Sequence, residues 1–358
     1  MTSTAMIVTD DPAIADGLLR LAAAADAEAE VARSADEARA GWQGPGLILV
    51  GIDLARDLAA TGLQRRPGVV LVSRGGDTTD VYRLAMEIGA QDLAVLPTDE
   101  AWLIDGFAAS TEPADGWGTM LCVVGARGGA GASVLSAALA LAASRAGART
   151  LLIDADPFGG GLDLMLGLEE HEGVRWPDLA ERRGRLSTST LRESLPRLGD
   201  LSMLSWRRGE PVPLSQEAVL SLLDAAVRGF DLVVVDVPRH LEETGRSALR
   251  AADLTFLVVP AEVRATVAAD GLSAALRRET TDLRLVVRCP SPGGLAPDMI
   301  TQALGLPLAG VFESDRKIPA AVEEGNLARA THRGPLTDLC HRLVADLVPQ
   351  EYELDEAA

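Results

Sequence analysis

The 358-residue chain carries a formal net charge of -19, and 47% of it is apolar but only 3% aromatic, which allows two domains with cores of Ala, Leu and Val. Such an acidic chain disfavours non-specific DNA binding, and its three distant cysteines (Cys122, Cys289, Cys340) and four scattered histidines form no CxxC pair and no zinc spacing, so reduced, structural thiols are expected. With no charge-free apolar run of 18 residues and no signal-peptide pattern, a cytoplasmic protein without a transmembrane segment is expected.

Over residues 1–112, apolar runs at 5–8, 47–50, 69–73 and 93–96 read as strands and residues 12–24 as a helix. That alternation predicts a parallel sheet with helices on both faces. Asp10 and Asp11 follow the first strand and suit a solvated strand end or a helix cap. The order, together with the ending Gly89-Ala90-Gln91-Asp92-Leu93-Ala94-Val95-Leu96-Pro97, resembles response-regulator receiver domains. The resemblance implies a phospho-acceptor aspartate ending the third strand and a lysine before the proline. Gly51 and Leu96 stand at those positions, and Asp53 lies two residues beyond the first. A degenerate receiver-like (flavodoxin-like) module for docking or dimerisation is therefore expected. Residues 113–118, with a proline and two glycines, read as a linker.

Residues 119–350 read as a second α/β domain. An apolar strand over 120–124, a glycine turn over 125–131 and a helix over 133–144 aim backbone N–H groups and a helix N-terminus at a phosphate. Against the P-loop pattern G-x-x-x-x-G-K-[ST], Gly131 and Ser133 match, while Ala126 replaces the first glycine and Ala132 the lysine. Losing a lysine that neutralises the β- and γ-phosphates removes about 1.5–3 kcal/mol of binding. Arg127 is the one positive charge left in the loop. A strand over 150–153 runs into Asp154-Ala155-Asp156-Pro157. Residues 230–238 form an apolar strand ending at Asp236, a Walker B pattern whose carboxylate holds Mg²⁺ through water. Further strands at 254–259 and 283–287 are continuous apolar runs, as burial on both faces requires. A helix over 336–347 is apolar at Leu336, Leu339, Leu343, Val344 and Leu347 and precedes an acidic tail, 351–358. Anionic lipid would repel that tail, so the helix is expected to pack on the domain.

The loop Arg127-Gly128-Gly129-Ala130-Gly131-Ala132-Ser133, followed by I-D-A-D-P, V-V-V-D-V-P and V-V-P-A-E, resembles the ParA/MinD ATPase family, whose loop reads K-G-G-x-G-K-[ST]. The resemblance implies a MinD/ParA-type P-loop domain that binds ATP or ADP at residues 127 to 133. It implies Mg²⁺ at Ser133 and, through water, Asp236; Asp156 as the catalytic residue of an active enzyme; and Asp154 as a switch residue. Arg127 stands where a family lysine reaches the partner's nucleotide across a dimer. The family's base-reading asparagine is replaced in Val286-Val287-Arg288-Cys289-Pro290. A receiver-like module ahead of such a domain is similar to the CpaE/TadZ branch, and residues 204–209 and 229–241 look closest to its actinobacterial septum-site-determining (Ssd-like) members. That implies a homodimeric spatial regulator or assembly scaffold with weak or absent hydrolysis. Its partners would be pilus-secretion or division proteins, with no specific nucleic acid, recruitment to a pole or septum, and membrane contact only through those partners. Two alternatives stay open: an active Mg-dependent ATPase with Arg127 in place of the lysine, and a phosphorylation-controlled response regulator. Trp206, Arg207 and Arg208 suit a partner contact, and Trp206 equally a core position; Arg239 and His240 are expected in a surface loop.

Overall fold

The computed structural model describes residues 5–42, 44–63, 66, 68–75, 78–111, 118–180, 186–209, 212–290 and 293–348. All but the last residue of the expected linker, and the whole expected acidic tail, lie outside the described residues. The chain divides into two compact units, residues 1–115 with 183–188 and residues 116–182 with 189–358.

In the first unit the elements run β1 (Ala5–Val8), α1 (Pro12–Ala24), β2 (Ala29–Ala32), α2 (Ala35–Gly41), β3 (Ile48–Gly51), α3 (Ile52–Ala60), β4 (Val69–Ser73), α4 (Thr78–Ile88), β5 (Asp92–Val95) and α5 (Glu100–Thr111). The five strands form one parallel sheet in the order β2-β1-β3-β4-β5. Successive side chains of a strand point to opposite faces. Accordingly Ile7 and Leu49 enter one apolar cluster with Leu18 and Phe107, while Val8 and Val50 enter another with Trp42 and Leu71. Both faces are covered, which is why these strands are apolar throughout. The edge strand β2 buries only Ala32 fully and has no such run, so the sequence pattern misses it.

In the second unit the elements run β6 (Thr119–Gly125), α6 (Ala132–Arg145), β7 (Thr150–Asp154), α7 (Leu162–Leu166), α8 (Trp176–Leu179), α9 (Thr188–Ser194), β8 (Arg197–Leu198), β9 (Leu201–Leu204), α10 (Gln216–Gly229), β10 (Leu232–Val237), α11 (Glu243–Ala251), β11 (Leu254–Pro260), α12 (Val263–Leu276), β12 (Leu283–Cys289), α13 (Pro297–Leu304), β13 (Leu308–Glu313), α14 (Lys317–Glu323), α15 (Leu327–Ala330) and α16 (Pro335–Leu347). The sheet order is β13-β12-β11-β6-β10-β7-β9-β8, parallel except for the β8–β9 pair. Helix α6 buries nine consecutive residues, Leu135 to Ala143. A helix apolar all round belongs inside a protein, and α16 packs over α6 and β13. On α16, Leu336, Leu339, Leu343 and Val344 are buried in the same cluster as α6, each contributing roughly 1.5–3 kcal/mol. That face is therefore committed to the domain core, as expected. Among the described residues no helix is long and apolar enough to cross a membrane.

Candidate nucleotide-binding site

The loop from β6 to α6 is shaped by its glycines. Gly129 and Gly131 have φ of 69° and 100°, left-handed values that a β-carbon resists. Ala126 N–H donates to Val258 O at 3.0 Å and Ala130 N–H to Arg127 O at 3.1 Å, which folds the loop back on itself. Among the described residues no protein acceptor takes the N–H groups of Gly129, Gly131, Ala132 or Ser133. Helix α6 starts at Ala132, one residue before the expected Ser133, and no side chain caps it. Its N-terminal partial positive charge is thus free for an anion.

The acidic side of the site comes from two adjacent strands. In the β10–β7 register Asp236 stands opposite Asp154, so both carboxyls end neighbouring strands beside the loop. The Ser136 hydroxyl donates to Asp236 at 3.0 Å, and the Ser133 hydroxyl beside the same carboxyl helps to hold its pKa down. Burial pushes the Asp236 carboxyl up to about 6; the serine bonds hold it down, and the charge of Asp156 adds to the rise. Burial, then the charge of Asp236, pushes Asp154 up to about 7, opposed by N–H groups of Leu162 and Asp156. Those N–H groups, each at 3.0 Å, make Asp154 the tether of the loop from Asp156 to Leu162. Asp156 itself accepts the Phe158 N–H at 3.0 Å. Two carboxyls so placed do not both ionise readily near neutral pH; a divalent cation would favour their charged forms and release protons. The Ser133 hydroxyl and the Asp236 carboxylate form a hard oxygen donor pair, which fits Mg²⁺ with water completing its shell. The loop N–H groups fit a polyphosphate, and Ala132 itself supplies none of the lysine's charge.

Arg127 is engaged inside the chain. Its Nη2 donates to both carboxylate oxygens of Glu262, at 2.8 and 2.9 Å, and its Nη1 to Gly128 O at 2.9 Å. Glu262 lies two residues past the end of β11 and is the N-cap residue of α12. The sequence motif V-V-P-A-E contains this acid, but nothing in the pattern reveals a partner 135 residues away. The sequence by itself equally gives Ser136 no role, although Ser133-x-x-Ser136 is the helical spacing that puts two hydroxyls on one face. Arg288, noted in the sequence only as a replacement, lies against Gly131. Trp206 is buried and stacks on Trp176, ring centroids 5.6 Å apart, while the Trp176 Nε1–H donates to Asp154 O at 2.7 Å. Arg207 pairs with Asp178 and Arg208 with Asp163, at 2.9 and 3.0 Å. The Trp-Arg-Arg stretch thus braces the loop behind Asp154. Arg239 and His240 are exposed.

The first unit has a cradle of its own, and it is filled. The Thr9 hydroxyl donates to Asp53 Oδ1 at 2.7 Å, and the N–H groups of Asp10 and Asp11 donate to Asp53 Oδ2 at 2.8 and 3.2 Å. A β-carbon on Gly51 would stand 2.3 Å from Asp53 Oδ1 and 2.6 Å from Thr9 Oγ1. Asp53, out of phase as an acceptor, folds back over the acceptor position. Asp11 caps α1 through the Ala13 N–H at 2.8 Å, and Leu96 is buried.

Residues 8–118 match the model of the Rv3660c-like, CheY-like N-terminal domain, and residues 119–272 that of the cellulose biosynthesis protein BcsQ. The chain is 36% identical over 342 residues to the protein Rv3660c of Mycobacterium tuberculosis, spanning 94% of this chain and 96% of the relative. In structure it is similar to a ParA family ATPase from Chlorobium tepidum, with TM-score 0.56 and 19% identity over 63% of this chain and 98% of that one. It is also similar to the septum site-determining protein MinD from Pyrococcus horikoshii complexed with Mg-ADP, with TM-score 0.53 and 17% identity over 63% of this chain and 94% of that one. The fold is therefore α/β throughout: a CheY-like N-terminal domain, then a ParA/MinD-type domain on a mostly parallel sheet.

Proposed function

This chain belongs to the Rv3660c-like family, and from that premise we propose that it is a spatial regulator or assembly scaffold of the CpaE/TadZ, Ssd-like kind. It is a cytoplasmic protein whose receiver-like domain (1–112) and P-loop domain (119–350) are joined by a linker. It binds Mg-ATP or Mg-ADP weakly at residues 127–133, with Ser133 and Asp236 on the metal, and hydrolyses it poorly or not at all. Dimerisation on the nucleotide face is the switch, Asp154 and the loop it tethers report it, and the receiver-like domain docks the dimer to pilus-secretion or division proteins at a pole or septum.

One observation carries this reading. Ser136 donates to Asp236 with Ser133 beside the same carboxyl, an oxygen set that suits Mg²⁺, while Ala132 leaves the loop without the lysine cation. Calorimetry with Mg-ATP and Mg-ADP on wild type and Ala132→Lys tests it. The lysine should tighten binding about tenfold to a hundredfold, a charge-assisted contact being worth about 1.5–3 kcal/mol. No change on adding the lysine would mean that the loop does not cradle phosphate. A second reading, an active Mg-ATPase, is favoured by Asp156, whose charge reaches both Asp154 and Asp236. Steady-state phosphate release clearly above that of Asp236→Ala would establish it in place of the scaffold reading.

A further inference from the structure

The cation missing at position 132 has a counterpart on a different strand. Arg288 lies near the end of β12, paired in register with Pro260 of β11 and Phe312 of β13. Its side chain runs along the glycine loop: a β-carbon on Gly131 would stand 3.4 Å from Arg288 Nη1 and 3.6 Å from its Cδ. Gly131 is the residue from which α6 departs. The guanidinium therefore lies at the N-terminal end of the helix that offers its free N–H groups.

Arg288 is half-buried, yet among the described residues no carboxylate or carbonyl accepts a hydrogen bond from its guanidinium. The acid that attracts it, Glu262, has both oxygens on Arg127. Burial holds the Arg288 pKa below its usual value, and the charge of Arg127 adds to this more than Glu262 offsets it. A partly desolvated cation with another cation beside it and no acid of its own is unfavourable unless an anion completes the site. The neighbouring helix N-terminus has the same sign and makes the same demand.

We propose that Arg288 is the phosphate-binding cation of this site, reaching across from β12 to the polyphosphate chain of a nucleoside di- or triphosphate in place of the lysine absent at position 132. The inference rests on the nucleotide reading above. Arg127 does not serve this purpose, because Glu262 neutralises it bidentately. A planar guanidinium also grips two phosphate oxygens at once, where a lysine gives a point charge.

The test is equilibrium titration of the full chain with Mg-ATP, Mg-ADP, inorganic pyrophosphate and adenosine, on wild type, Arg288→Ala, Arg288→Gln and Arg127→Ala. Both Arg288 variants should weaken ATP, ADP and pyrophosphate about tenfold to a hundredfold, leave adenosine unchanged, and exceed the effect of Arg127→Ala. Adding Ala132→Lys to Arg288→Ala should restore binding of the phosphate ligands, a rescue that a merely structural defect at position 288 would not allow. Arg288→Gln keeps the length of the side chain, so a folding defect confined to the alanine variant leaves the test intact. ATP affinity within twofold of wild type in both variants overturns the inference and spares the nucleotide reading. Equal loss of adenosine and ATP overturns it in favour of a base contact. A wild-type chain that binds neither ATP nor pyrophosphate removes both.

Discussion

Each unit of this chain has an anion cradle at the carboxyl ends of a parallel sheet, and each lacks the residue that phosphate chemistry calls for there. The outcomes differ. In the first unit Asp53 fills the cradle, taking the N–H groups of Asp10 and Asp11 and the Thr9 hydroxyl. In the second, the N–H groups at the start of α6 meet no protein acceptor among the described residues, and two arginines stand beside them. Losing a key side chain therefore does not by itself say whether a site is retired. What replaces it electrostatically does: an internal carboxylate closes the first cradle, whereas in the second the proposed phosphate site would be kept receptive by positive charge that no acid takes up.

The largest expected effect probes the closed cradle. Gly51→Asp restores the acceptor position by sequence alone, but its β-carbon would collide with Asp53 and Thr9. It should destabilise the first unit by about 2–3 kcal/mol through overpacking and gain no labelling by acetyl phosphate. A stable variant that becomes labelled at position 51 would break the comparison by showing that the cradle is open.

A smaller effect probes the carboxyl pair of the second unit. Asp236 and Asp154 are pushed up to about 6 and about 7, from an ordinary value near 4. The native state therefore holds protons that the unfolded chain has released, and stability is full below pH of about 4 and falls as pH rises through about 6–7. Without metal, the unfolding free energy should fall steadily from pH 5 to pH 8. Mg²⁺ should reduce that drop, and Asp236→Asn should shrink it to the part that the burial of Asp154 causes. A denaturation series showing a rise over this range would exclude the assigned pair.

The smallest effect concerns the ion pair of the open cradle. Arg127 and Glu262 are each 34% exposed at the side chain, so solvent screens the pair, and Glu262→Gln should cost under about 1 kcal/mol of stability. Its value lies in binding: freeing Arg127 adds a cation near the loop, so Mg-ATP should bind slightly tighter. Weaker binding would mean that Glu262 orders the loop rather than neutralising its arginine.

The fold was legible where a strand is an uninterrupted apolar run. The apolar runs at 5–8, 69–73 and 120–124 correspond to β1, β4 and β6, because a strand covered on both faces must be apolar at every position. Other strands were not: β2 and β13 are only partly buried, the two-residue β8 carries no pattern, and in β9 Ser202 interrupts a run of four residues, whereas the edge strand β5 shows in the run at 93–96. At the site, the order of glycine loop, Asp154, Asp156 and Asp236 could be read from local motifs. The partners Ser136, Glu262 and Arg288 could not be assigned, because their meaning depends on what lies across the sheet.

The sequence alone determined that this protein has two parallel α/β units, a glycine loop feeding a helix, and two carboxylates ending buried strands, since local periodicity and backbone chemistry suffice for each. Only the tertiary structure decided which cradle is occupied and which arginine is spoken for. Such compensation acts through space over a few ångströms, between residues such as Asp53 and Thr9 or Arg127 and Glu262, whose separation along the chain hides it.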